Sequence, residues 1–197
     1  RYSLLFAFPG ESIVLDNLSD FDFLKKLNSR CIQNNTDSEL PFTGGWFVYL
    51  SYELIGQIEP VLKPSKHESN LPIAYAVKVP TVIYTDHKIG KTFLYDEEDN
   101  QSRISQILAD INTLENAPNL SIKGKIREES KEKFVEGVKS SLDYIFAGDV
   151  FQVNLSRKWT YDLDSNIDSS IIYSKLKKAN PAPFSALIQY NDFSIIS

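Results

Sequence analysis

The sequence predicts an α+β fold with a largely antiparallel β-sheet and flanking helices. Short strand-like runs are joined by tight turns such as Pro9-Gly10 and Asn191-Asp192, and a two-residue turn joins neighbouring strands into a hairpin. Long amphipathic helices are mixed with these hairpins, and this mixture favours the α+β class. The predicted strands span residues 2–8, 12–15, 46–54, 74–86, 91–95, 150–161, 183–190 and 193–197.

Two helices are predicted in the N-terminal half. The first covers about residues 21–33, where Asp20 can cap its N-terminus, and Cys31 on its apolar face is predicted to be a small core residue. The second covers about residues 98–115. The apolar stripes expected to face the core are Phe21, Leu24, Leu27 and Cys31 on the first helix, and Ile104, Leu108, Ile111 and Leu114 on the second.

Prolines and a nonperiodic stretch divide the chain. Pro80 breaks the strand-like run 74–86 because proline cannot donate to a sheet ladder. Residues 55–72 are proline-rich and nonperiodic, which predicts a long loop. The stretch NAPNLSIKGK is the best boundary candidate. We therefore predict an N-terminal domain over 1–118, a linker over 119–129 and the beginning of a second domain over 130–197.

Two helices are also predicted in the second domain. Ser130 caps a helix over 131–147, and Gly148 supplies its C-terminal stop. A further helix over 167–179 ends at an Asn-Pro breaker. The face of the first of these helices that is expected to be buried consists of Phe134, Val138, Leu142 and Ile145.

Composition excludes several classes of protein. The chain has 197 residues, of which 42% are hydrophobic, and a net charge of −5, without the dense basic stripe of nucleic-acid binders. No apolar run approaches the roughly 18 residues that a membrane span requires. Cys31 is the single cysteine, so no internal disulfide can form, and a cytoplasmic location is expected.

Both ends of the sequence suggest a piece of a longer enzyme. The chain begins at Arg1 and contains no methionine, and its last residues, DFSIIS, read as a strand that stops. The residues present also lack the usual catalytic signatures. No glycine-rich nucleotide loop and no patterned carboxylate pair occurs, and His67 and His87 lie in polar loops. We therefore nominate no catalytic residue and no metal ligand in this chain.

Three stretches remain as candidates for a site: PFTGGWFVYLSYE (41–53), GDVFQVNLSRKW (148–159) and NPAPFSALI (180–188). The paired glycines of the first stretch are typical of close packing or of a site. The polar row of Gln152, Asn154 and Ser156 either faces solvent or lines a cavity. The third stretch is either a rigid pocket wall or a plain connector.

These three stretches, in this order, resemble the chorismate-utilising enzymes, and RYSLLFAFPG at the start is similar to the synthase component I members of that family. The family includes enzymes that form anthranilate, aminodeoxychorismate, isochorismate and salicylate. The resemblance implies that the catalytic histidine, the Mg²⁺-binding glutamates and the basic residues that hold the substrate lie beyond Ser197. It therefore implies Mg²⁺ for the intact enzyme, with ligands outside this chain.

The resemblance also implies which nucleophile is added to chorismate. A lysine occupies the position of Gln152 in the isochorismate and salicylate enzymes, where it is the base that activates water. A glutamine amide cannot abstract a proton, but it can orient ammonia by hydrogen bonding. Gln152 and Asn154 are therefore expected to line the active site of an amine-adding member. Such a member takes ammonia from a glutamine amidotransferase subunit.

Asn154 and the segment Pro183, Phe184 and Ser185 resemble the aminodeoxychorismate (para-aminobenzoate) type, in which this segment walls a tryptophan pocket. The expectation is a component I fragment of the folate route that acts on chorismate and is inactive by itself. An anthranilate-forming enzyme of tryptophan synthesis is the first alternative. A noncatalytic module that binds an amino acid such as tryptophan is the second.

Overall fold

The computed structural model describes residues 2–31, 39–62, 71–115, 118 and 120–197. The chain forms two compact units, Arg1–Glu115 and Asn116–Ser197. Every strand pairing in the described ranges is antiparallel, and helices accompany the sheets in both units, so the α+β prediction is confirmed. Within those ranges, no helix is both long and apolar enough to cross a bilayer.

The first unit contains two three-stranded sheets, with the strand orders β1-β5-β6 and β2-β4-β3. Its strands are β1 (Tyr2–Ala7), β2 (Ser12–Leu15), β3 (Gly45–Leu50), β4 (Ala74–Val79), β5 (Thr81–Asp86) and β6 (Lys91–Asp96). Its helices are α1 (Phe23–Arg30), α2 (Ile55–Ile58) and α3 (Gln101–Asn112), and a 3-10 turn spans Tyr52–Leu54.

Pro80 lies between the central strands of the two sheets. Strand β4 is central in one sheet and β5 is central in the other, and only Pro80 separates them. The carbonyl of Pro80 accepts a hydrogen bond of 2.9 Å from the Glu97 backbone N–H. The predicted break in the run 74–86 is therefore the point at which the chain passes from one sheet to the other.

The core of the first unit lies between the β2-β4-β3 sheet and α1. Phe23 and Leu15 are completely buried there, and Trp46 packs at its margin. The Gln57 side chain holds the backbone segment that precedes α1, because its Nε2 donates to the carbonyls of Leu18 and Phe21 at 2.7 and 2.6 Å. Gln57 lies on α2, inside the segment that was predicted to be a loop.

Helix α1 is shorter than predicted, and its cap is Asp22, whose carboxylate accepts from the Lys25 backbone N–H at 2.9 Å. Cys31 follows the helix end and is exposed, so its prediction as a core residue is wrong. On α3 the buried residue is Ile107, whereas Leu108 is 54% exposed. The apolar stripe predicted there is therefore offset by one residue.

The second unit consists of two antiparallel strand pairs, of which only one is a hairpin, and two helices. The strands are β7 (Gly124–Glu128), which pairs with β8 (Trp159–Leu163), and β9 (Leu187–Tyr190), which pairs with β10 (Phe193–Ile196). The helices are α4 (Lys131–Ala147) and α5 (Ser169–Ala179). The Ser130 cap of α4 and the left-handed Gly148 at its end are confirmed, as is the two-residue turn between β9 and β10.

Three predictions for this unit differ from the structure. Strand β7 lies inside the segment 119–129 that was predicted to be a linker. Residues 150–158 belong to no strand, so of the predicted strand 150–161 only the residues in β8, which begins at Trp159, are confirmed. Helix α4 also has no buried residue, so the burial predicted for its apolar face is wrong.

Candidate functional site

Gln152 and Asn154 lie on the irregular segment between α4 and β8. Both side chains are exposed, and Nε2 of Gln152 donates a hydrogen bond of 3.2 Å to Oδ1 of Asn154. Because α4 ends at the left-handed Gly148, the chain reverses immediately before this segment. The two residues that were predicted to line the active site are therefore neighbours that share a hydrogen bond on an accessible surface.

Arg157 attaches the end of this segment to the loop between β7 and α4. Its guanidinium donates to the Glu129 carbonyl at 3.0 and 2.8 Å and to a carboxylate oxygen of Glu128 at 2.9 Å. The same group lies over the Trp159 ring, 5.2 Å from its centroid. Arg157 therefore fixes the path by which the segment enters β8.

Sequence reasoning missed Arg157, although its position carries a signal. It stands between Leu155 and Trp159 on the row that is otherwise apolar, where an arginine needs partners for its charge. The structure supplies those partners from the β7–α4 loop.

A charged, open depression lies beside Arg157. Its lining residues are Arg127, Glu128, Glu129, Lys158 and Thr160. The pKa of Glu129 is lowered, first by a hydrogen bond from the Lys133 side chain and then by the backbone N–H of Lys158. The lining contains two cationic and two anionic side chains, so it presents no excess of either charge to a ligand.

Pro183, Phe184 and Ser185 form the connection between α5 and β9. Phe184 is 90% exposed. The Ser185 hydroxyl donates to the Ala182 carbonyl at 3.0 Å, and the Ser185 carbonyl accepts from the Tyr173 hydroxyl at 3.4 Å. These contacts hold the turn against α5 and leave the phenyl ring free to contact another group.

The paired glycines of the first motif allow a close approach within the first unit. Gly44 has φ +97°, and a Cβ added there would lie 2.5 Å from Oε2 of Glu97. The Glu97 carboxylate pairs with Nζ of Lys78 on β4, at 2.9 Å for Oε1 and 2.6 Å for Oε2. These contacts assign Gly44 to packing.

The described residues do not supply a metal site. Among them, no three His, Cys, Asp or Glu side chains come together to hold an ion. The side-chain partner of Gln152 is the Asn154 amide, and an amide without carboxylates is a weak ligand set for Mg²⁺. The described residues therefore do not fit Mg²⁺, and His67 lies outside them.

Known proteins resemble this chain along its whole length. Anthranilate synthase component 1 of Lactococcus lactis is 27% identical, over 93% of this chain and 42% of that protein. Aminodeoxychorismate synthase component 1 of Bacillus subtilis is 28% identical, over 85% of this chain and 38% of that protein. The crystal structure of anthranilate synthase component I from Streptococcus pneumoniae aligns with a TM-score of 0.81 at 23% identity.

That crystal structure is matched over 100% of this chain and 49% of its own length, so the chain spans about half of that fold and about two fifths of the two curated relatives. Curated relatives of both names match at nearly equal identity. The family model described as chorismate binding enzyme matches residues 4–197, and by that match the chain belongs to the chorismate-binding enzyme family.

Proposed function

We propose that this chain is the N-terminal part of an enzyme that aminates chorismate to 4-amino-4-deoxychorismate. The observation that carries the proposal is the residue type at position 152 in a chain of this family. An amide there can donate and accept hydrogen bonds but cannot act as a general base at neutral pH. Neutral ammonia is a strong enough nucleophile to attack without a base and loses its extra proton to solvent afterwards, whereas water is a weak nucleophile that a base must activate.

In this proposal the Gln152 amide orients the attacking ammonia or holds a ring substituent, and Asn154 fixes the Gln152 amide. The hydrogen bond of 3.2 Å between their side chains supports this pairing. A primary amide has two donors and two acceptor lone pairs, so the bond to Asn154 leaves capacity for a ligand.

We choose aminodeoxychorismate over anthranilate as the product because Asn154 and the Pro183–Ser185 segment resemble the aminodeoxychorismate-forming members of the family. The Bacillus subtilis relative supports it by name. The competing product is anthranilate, and the Lactococcus lactis relative favours it. The two enzymes place the amino group on different ring carbons, so the product decides between them.

The proposed enzyme requires groups that the described residues do not provide. Mg²⁺ is proposed to be held by ligands outside this chain, and ammonia is proposed to come from a glutamine amidotransferase subunit. The Pro183–Ser185 segment is proposed to contact tryptophan through the exposed Phe184 ring.

The test is to identify the product of the enzyme in its full encoded length. It is incubated with chorismate, Mg²⁺ and ammonium, and an aminodeoxychorismate lyase is then added. Para-aminobenzoate that appears only after the lyase is added supports the proposal. Anthranilate that appears without the lyase supports the competing product, and a hydroxylated product contradicts amination.

A further inference from the structure

The segment that carries Gln152 and Asn154 is held mainly at its two ends. It runs from Asp149 to Lys158 and joins the end of α4 to the start of β8. Every residue of it is exposed except Arg157, whose side chain is 25% exposed. The positions of Gln152 and Asn154 therefore depend on how the ends of the segment are attached.

The first end is fixed where α4 stops. Gly148 is left-handed, and the backbone N–H of Asp149 donates to the Tyr144 carbonyl at 3.0 Å. Farther along, Leu155 lies beside the helix, since a methyl group added at Gly137 would be 3.8 Å from its side chain. The segment therefore leaves the C-terminal end of α4 and turns back along the helix.

The second end is fixed at the N-terminal end of the same helix, by Glu129. The backbone N–H of Glu129 donates to the Lys158 carbonyl at 3.0 Å, and its carboxylate accepts from the Lys158 N–H at 3.3 Å. The carboxylate also pairs with Lys133 in the first turn of α4, at 2.5 Å. Glu129 therefore joins the end of the segment to the start of α4 through both its backbone and its side chain.

The distance between the two attachments leaves the segment little slack. Helix α4 has 17 residues, and at about 1.5 Å per residue it is about 26 Å long. The segment 149–158 reaches at most about 36 Å when it is fully extended, at about 3.6 Å per residue. Most of this reach is used in returning along the helix. A shift of the attached end is therefore passed on to Gln152 and Asn154, because there is little loose chain to absorb it.

We propose that Arg157 is a positioning residue for amination, which acts by fixing the end of the segment that carries Gln152. Its Nε and Nη2 atoms donate to the Glu129 carbonyl at 3.0 and 2.8 Å, and Nη2 also donates to Glu128 at 2.9 Å. Hydrogen bonds from a charged donor are stronger than those between neutral groups. The inference rests on the proposed function, because it assumes that the Gln152 amide orients ammonia.

A lysine cannot make the contacts of Arg157. Arginine has a planar fork of donors on several nitrogens, whereas lysine carries its donors on one nitrogen. The guanidinium also lies over the Trp159 ring, 5.2 Å from its centroid. Arg157→Lys keeps the positive charge and loses this geometry, so the substitution separates the position of the segment from the charge of the side chain.

Arg127 provides a matched control on the same strand pair. Its guanidinium binds both carboxylate oxygens of Asp162 at 2.7 and 2.8 Å, and these bonds join β7 to β8. The Arg127 side chain is 68% exposed, and ion pairs between exposed groups contribute little stability. Arg127→Lys therefore makes the same chemical change without altering the attachment of the segment, and amination should be unchanged.

The test is a double-mutant cycle in the complete enzyme, in which chorismate consumption is measured at several ammonium concentrations. Arg157→Lys should lower kcat/KM for ammonium by about tenfold or more, as a small misplacement of an orienting group does. Gln152→Ala should cause a comparable loss. Arg157→Lys added to Gln152→Ala should cause no further loss, because residues that act as one unit are not additive.

Two results would overturn the inference. One is normal amination by Arg157→Lys, and the other is a loss of the same size with and without Gln152, which is the result expected of a general loss of stability. If Arg157→Lys does not fold, Glu128→Ala takes its place in the cycle. That variant removes one contact of the guanidinium and keeps the bonds to Glu129, so we expect a loss of about threefold.

Failure of the proposed function would look different. Normal amination by Gln152→Ala would refute the proposed role of Gln152, and with it any action of Arg157 through that residue. Normal amination by Arg157→Lys with slow amination by Gln152→Ala would refute this inference alone. Chorismate consumption does not depend on which ring carbon receives the nitrogen, so a different product would correct the proposed function and leave the role of Arg157 standing.

Discussion

The hydroxyl of Thr81 donates a hydrogen bond of 2.5 Å to the carboxylate of Asp96, and this contact ties the start of β5 to the end of β6. The Asp96 carboxylate is completely buried, and it also accepts from the backbone N–H groups of Glu98 and Asn100, each at 3.0 Å. Arg103 on α3 approaches the same carboxylate at 3.4 Å. Asp96 therefore sets the turn from the sheet into α3.

Replacement of Asp96 by asparagine should destabilise the first unit. The asparagine amide lacks the negative charge that strengthens these hydrogen bonds. Its NH₂ group would also point hydrogen-bond donors at groups that now donate to the carboxylate. We expect a cost of about 1–3 kcal/mol, the usual range for a buried polar group left without its partner. Hydrogen exchange of residues 81–112 measures it. Asp99→Asn, an exposed change in the same turn, should leave that exchange unaltered, and equal effects of the two variants would contradict this role.

The same carboxylate predicts a pH dependence. Burial alone raises the pKa of Asp96, but the hydrogen bonds from Thr81, from the backbone of Asn100 and Glu98, and from Arg103 outweigh it and lower the pKa. A lowered pKa means that the folded state binds the proton more weakly than the unfolded state does. The stabilisation is therefore complete well above the unfolded-state pKa of about 4, and it is lost progressively as the pH falls through the lower pKa of the folded state.

The difference in unfolding free energy between the parent chain and Asp96→Asn should accordingly shrink as the pH falls from 5 to 3. Hydrogen exchange, corrected for the intrinsic exchange rate at each pH, measures this difference. A difference that is constant over this range would mean that the Asp96 charge contributes nothing.

Gly44 should tolerate alanine less well than Gly90 does. Both glycines have positive φ, +97° and +66°, so alanine strains the backbone at either position, by about 1–2 kcal/mol. At Gly44 the added methyl would also meet Glu97 and disturb its ion pair with Lys78, whereas nothing lies within 4 Å at Gly90. Thermal unfolding followed at Trp46 should show the larger loss for Gly44→Ala. Equal losses of stability in the two variants would show that the Glu97 side chain moves away from the added methyl group at no measurable cost.

Gln152→Lys in the complete enzyme should slow amination by about tenfold, because the variant loses the amide acceptor and introduces a cation where ammonia is oriented. It should also yield a hydroxylated product, since a lysine amine of suitable pKa can activate water. Chromatography of the products measures both effects. Gln106→Lys, the same change on the exposed surface of α3, is the control. Unchanged amination by Gln152→Lys would remove Gln152 from the site.

Local chemistry explains the parts of the fold that the sequence predicted well. Ser130 and Gly148 bound α4 because a side-chain acceptor and a left-handed residue act within one turn of the backbone. Pro80 separates β4 from β5 for an equally local reason, the missing N–H. The α+β class followed because turns and helical periodicity are also readable over short distances.

Features that depend on distant partners were not predictable. Residues 150–158 alternate like a strand, yet no ladder partner lies beside them in the described ranges, and alternation alone does not supply one. Ile107 is the buried residue of α3 because that side of the helix faces the sheet. Helical periodicity in the sequence predicts the buried side only to within one residue. The orientation of Gln152 toward a substrate stays a prediction for the same reason, because an enclosing wall is a long-range feature.

The most direct measurement is nitrogen-15 NMR of the products formed from chorismate and labelled ammonium. The complete enzyme and the 197-residue chain are compared under the same conditions with Mg²⁺. With the complete enzyme we expect the labelled nitrogen to be bonded to carbon 4 of the ring, and with the chain alone we expect no product. Label on carbon 2, an unlabelled hydroxylated product, or turnover by the chain alone would contradict it.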